Sequence, residues 1–96
     1  MKTTQVKLWL QVENNNKFVR GKNKSRLEIE EICLARHNAK KLSPDGFDYE
    51  LTFQHLDDAD LQEQINALAK DMEDIADSRN GCIEADFVDV KTGMGL

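Results

Sequence analysis

An α+β fold in the order β-α-β-β-α-β is predicted by three features of this 96-residue chain. Residues 6–12 and 49–55 alternate apolar and polar side chains with the period of two that marks a half-buried strand. Leu61, Ile65, Leu68, Met72 and Ile75 recur at the three- and four-residue spacing of an amphipathic helix. Pro44-Asp45-Gly46 supplies strong turn chemistry ahead of the second alternating run, because proline presets φ and glycine accepts a positive one.

Each element has its own local reason. In V-K-L-W-L-Q-V the residues Val6, Leu8, Leu10 and Val12 share one face, and Lys7, Trp9 and Gln11 share the other. The run Asn14-Asn15-Asn16 ends the strand, since asparagine tolerates turn conformations and has poor strand propensity. Ser25 and Glu28 have the spacing of a capping box, which predicts a helix from there to about His37 with Leu27, Ile29, Ile32, Cys33 and Ala35 or Arg36 as its stripe. Residues 39–43 and 48–55 read as a hairpin whose first arm is a weak edge strand guarded by lysines. Asp57 or Asp58 is placed to cap the second helix, Gly81 to end it, and Arg79 to complement its dipole. In the last strand Ile83, Ala85 and Phe87 point inward and Glu84 and Asp86 outward, with Val88 and Val90 suggesting a bulge. Residues 91–96 read as a loose tail, which leaves a core of about residues 5–90. The element order is the ferredoxin-like one, with two helices on one face of a four-stranded antiparallel sheet and the other face open.

Size and composition set bounds. A hydrophobic fraction of 40% with 32% charged residues suits one small globular domain. No apolar run approaches the roughly 18 residues of a membrane span, and no cleavage-like site follows the N-terminal apolar pattern, so a cytoplasmic location without membrane contact is expected. Cys33 and Cys82 are then expected as reduced thiols. The net charge of −5 is unevenly spread: residues 1–26 carry seven Lys/Arg against Glu13 alone, and residues 27–96 carry six against seventeen Asp/Glu. Such a split points toward partner recognition.

Lys17, Arg20, Lys22, Lys24 and Arg26 surround Gly21 and lead into the amide-rich start of the first helix, a natural place for an anion. The pattern is not a P-loop, since Asn23 follows Gly21-Lys22 and Asn16 stands where the first glycine belongs. The plainer account is a solubilising loop or a dock for the chain's own acidic helix. RNA binding on the open sheet face is rejected, because Trp9 alone among Lys7, Glu50, Glu84 and Asp86 is a poor stacking platform. Cys33 and His37 at i, i+4, with Cys82 and His55, could ligate zinc, but core thiols and a histidine at a helix end explain the same residues, and no metal or other cofactor is expected. There is no nucleophile-elbow motif, and Asp57, Asp58 and Asp60 are better placed for capping than for a divalent ion. No catalytic residue is assigned.

K-L-W-L-Q-V-E-N-N-N-K-F-V-R-G at residues 7–21, G-F-D-Y-E-L-T at 46–52, and I-A-D-S-R-N with I-E-A-D within 75–86 resemble a family of small uncharacterised bacterial proteins carried on mobile DNA, of the integron gene-cassette type. The resemblance implies a genetic context and lends no catalytic residue. The sequence reading is therefore a non-enzymatic binding or accessory protein. It contacts phosphate or nucleic acid through Lys17, Arg20, Lys22, Lys24 and Arg26, or alternatively a protein partner or second copy through the open sheet around Trp9 or the acidic second helix.

Overall fold

The computed structural model describes residues 1–12, 24–42, 47–79 and 81–96. The elements are β1 (Lys2–Val12), α1 (Lys24–Ile32), a 3-10 turn (Leu34–His37), β2 (Lys40–Lys41), β3 (Tyr49–His55), α2 (Asp58–Ser78) and β4 (Ile83–Asp89). The strands form one four-stranded sheet in the order β2-β3-β1-β4, and every neighbouring pair is antiparallel. β1 is central, running from Lys2↔His55 to Leu8↔Tyr49 against β3 and from Val6↔Asp89 to Val12↔Ile83 against β4.

That register puts Val6, Leu8 and Leu10 beside Tyr49, Leu51, Phe53 and Phe87 on one face, where Ile29, Cys33, Leu34, Leu61, Ile65, Leu68 and Met72 close the core from the helices. The alternation in the sequence is thus the alternation of the sheet, because successive Cβ atoms must point to opposite faces. β2 is the expected short edge arm: Lys40 and Lys41 pair with Glu50 and Tyr49, and the Leu42 amide donates to the Asp48 carbonyl at 3.0 Å. Asp57 is the N-cap of α2, its carboxylate accepting from the Asp60 amide at 2.8 Å.

Six local expectations need correction. Ser25 is not the N-cap of α1 but its second residue, fully buried, on the same face as Ile29 and Cys33 at four-residue steps. Leu27 lies more than half a turn from Ile29 and is exposed, as is Ile32, so the apolar stripe is narrower than the sequence suggests. The helix does not reach His37; it tightens into the 3-10 turn, and Asn38, at φ 51°, ends it in the left-handed region that asparagine tolerates. Gly81 stands one place beyond the expected capping position and donates its amide to the Ala76 carbonyl at 2.9 Å, while Arg79 binds Glu28 of α1 at 2.5 Å and so ties the two helices together. No bulge interrupts β4: its ladder with β1 is continuous, and Val88 simply takes its turn on the open face opposite Lys7. Residues 91–96, read as loose, turn back along β4 with Leu96 donating to the Phe87 carbonyl at 2.9 Å.

Candidate functional site

The open face is built by the polar halves of the same strands. Trp9, half-buried, sits on central β1 with Asp86 of β4 opposite it; on its other side the ladder with β3 has already ended. Trp9, Phe47, Asp86, Val88, Gly95 and Leu96 contribute to the lining of a shallow pocket of about 490 Å³. One cation already faces this aromatic surface, the Lys7 ammonium 5.9 Å from the Phe47 ring centroid. The charges around it are uneven: Glu50 lies between Lys7 and Lys40 in the ladders, whereas Glu84 and Asp86 stand opposite Gln11 and Trp9. Nothing in the sequence brings Phe47 or the tail to Trp9, since neither belongs to a periodic run.

The residues of the basic stretch have different fates. Lys17, Arg20 and Lys22 lie outside the described residues. Lys24 is exposed at the first residue of α1. Arg26 serves the fold. β3 ends opposite Leu8, so the Leu10 amide and carbonyl reach toward a strand that has stopped, and side chains take its place. Asp48 Oδ2 accepts from the Leu10 amide at 2.8 Å, and Arg26 Nη2 donates to the Leu10 carbonyl. Arg26 Nη1 also donates to the Tyr49 hydroxyl at 3.1 Å, and that hydroxyl donates to Glu30 Oε1 at 2.5 Å, with Lys41 Nζ 3.8 Å from the same oxygen. The predicted contact residue is thus a part of the sheet's edge.

Burial, followed by the hydrogen bond to Glu30, pushes the Tyr49 phenol up to about 12. Tyr49 is the only tyrosine in the protein, so ultraviolet titration reads it alone. We expect a midpoint near 12 in the folded protein against about 10 in denaturant. Because the folded-state value is the raised one, the stability it contributes is complete below the unfolded value and declines as pH rises through the folded one. A native midpoint at the ordinary phenol value would contradict the network.

The candidate metal and nucleophile residues are not assembled into a centre. Cys33 is fully buried; burial pushes its thiol up, and Arg36 opposes this. His37 packs its ring on Phe53 at 4.3 Å, and burial pulls it below its usual value. His55 lies between the Thr4 hydroxyl at 2.8 Å and the Asp57 carbonyl at 2.9 Å; a carbonyl only accepts, so Nδ1 carries the hydrogen. Among the described residues no group of three or more His, Cys, Asp or Glu is arranged to hold a metal ion. Cys82, by contrast with Cys33, is exposed. A thiol reagent is therefore expected to modify one cysteine quickly and the other only as the protein opens, and Cys82→Ser is expected to remove the fast phase. A fast phase surviving that substitution would mean that Cys33 is accessible.

No helix among the described residues is long and apolar enough to cross a membrane. Compared with protein-family models, curated proteins and solved structures, the chain matches none.

Proposed function

We propose that this protein is a non-enzymatic interaction module of ferredoxin-like arrangement that receives a protein partner on its open sheet face around Trp9. The observation that carries this reading is the half-buried tryptophan on an internal strand of the face the helices do not cover, in a pocket shared with Phe47. Tryptophan is enriched among the few side chains that dominate the energetics of protein interfaces, where a partner completes their desolvation. The fold assignment is supported by the strand order, which read from the other edge is β4-β1-β3-β2, with a helix between the first and second strands and another between the third and fourth. The resemblance to cassette-borne proteins agrees with an accessory role.

Binding of nucleic acid through the basic stretch would have to rest on Lys17, Arg20, Lys22 and Lys24, since Arg26 holds β1 and Tyr49. One experiment separates the readings. A photocrosslinking residue is placed at Gln11 or Gln54, both exposed on the open face, or at Glu73 on the outer face of α2, and protein adducts formed in the producing cells are compared. Adducts at the two sheet positions and none at Glu73 support the open face. Adducts at Glu73 alone move the partner to the acidic helix. No protein adducts, together with salt-sensitive binding of labelled oligonucleotides that Lys22→Gln and Lys24→Gln abolish, would replace this reading with the nucleic-acid one.

A further inference from the structure

β4 is an edge of the sheet, and the C-terminal segment already forms one bridge to it. The chain reverses through Gly93, whose φ of +73° suits glycine, and forms an antiparallel bridge between Val88 and Gly95. Asp89 donates its amide to the Met94 carbonyl, and Leu96 donates to the Phe87 carbonyl, each at 2.9 Å. Asp89 and Phe87 thus turn their backbone groups away from β1, whereas the Val90 amide turns toward it and donates to the Gln5 carbonyl at 3.1 Å. By the same period of two, Ile83 and Ala85 present their backbone groups at the outer edge, where the described residues form no further ladder. The opposite edge, β2, is two residues long and both are lysines, the form in which an edge is blunted.

The side chains beside this edge select what joins it. Glu84 and Asp86 are exposed on the open face and have Gln11 and Trp9 opposite them on β1. The Trp9–Phe47 pocket adjoins Asp86 and is walled by Gly95 and Leu96, which places aromatic faces and a carboxylate around one concavity. An ammonium or guanidinium group satisfies both. A second copy of this chain does not: edge-to-edge pairing about Ala85 would set Glu84 of each copy opposite Asp86 of the other, and like charges directly opposite destabilise a ladder.

We infer that the outer edge of β4 over residues 83–86 takes an extended segment of another protein, with Lys or Arg at the positions flanking Glu84 and Asp86 and one cationic side chain held in the Trp9–Phe47 pocket. The inference rests on the open-face reading and deepens it by naming the chemistry of the partner and its mode of attachment. Main-chain bonds to Ile83 and Ala85 give the segment its register, and the alternate side chains give it specificity.

Trp9 is the only tryptophan in the protein, so its emission reports the site directly. The probe is a blocked peptide alternating Lys or Arg with Val. Its comparators are the same peptide with Glu for every basic residue, and one of equal charge with Pro for every Val, which cannot add a strand. We expect a saturable emission change with the first peptide alone, weakened at least tenfold by Glu84→Lys with Asp86→Lys. These surface variants are checked for an unchanged denaturation midpoint, and Glu84→Gln with Asp86→Gln serves if the lysines disturb folding. Equal binding of the proline peptide would overturn strand addition, and equal binding of the acidic peptide would overturn the charge selection. No response to any peptide while crosslinks at Gln11 and Gln54 persist would overturn this inference and leave the open-face reading standing; loss of the crosslinks as well would overturn both.

Discussion

Phe53→Ala is expected to destabilise the protein by about 3–5 kcal/mol, the range for removing a fully buried phenylalanine from a core. Phe53 lies mid-way along β3 with no exposed surface, paired with Thr4 in the ladder and stacked on His37 from the 3-10 turn. Truncation therefore removes apolar contact between two layers, and the rigid sheet on one side limits collapse into the space. Urea denaturation measures it: the midpoint should fall with little change in slope. Phe53→Leu, which keeps most of the volume, should lose far less. A loss below about 1 kcal/mol for the alanine variant would mean that the turn and sheet are not packed as described.

Arg26→Ala is expected to destabilise by about 2 kcal/mol, because it strips a donor from the Leu10 carbonyl and from the Tyr49 hydroxyl together. Arg26→Lys should recover only part of this, since an ammonium lacks the planar fork that reaches both acceptors. Lys24→Gln, two residues earlier and exposed, should stay within about 0.5 kcal/mol of the parent. If Arg26→Ala were as mild as Lys24→Gln, the edge of β1 would not depend on the guanidinium. The contrast also governs any binding study of the basic stretch: neutralising Arg26 changes the fold's stability, so Lys22 and Lys24 are the substitutions that read binding.

The inward faces of three strands and of α2 were legible in the sequence because they depend on period alone. Val6, Leu8 and Leu10, then Leu51 and Phe53, then Ile83, Ala85 and Phe87 recur at every second position, so a sheet that buries one of each set turns the others to the same side. Leu61, Ile65, Leu68 and Met72 likewise determine which side of α2 is buried whatever it packs on. The cap at Asp57 was legible for a similar reason, as its bond is made within three residues.

Tertiary structure decided what involves residues far apart in sequence. Arg26 reads as one more cation in a basic run; only the ending of β3 opposite Leu8 makes its guanidinium the partner of a strand backbone. Ser25 reads as a cap until the packing of α1 buries it, and Arg79 reads as a dipole partner until Glu28 arrives from the other helix. Phe47, Gly95 and Leu96 carry no periodic signal, yet the sheet gathers them beside Trp9 and Asp86. Periodicity states which face of an element is buried because that follows from local backbone geometry. Which side chains from distant segments meet follows from strand order, register and the points at which strands end, and those are set by the packed whole.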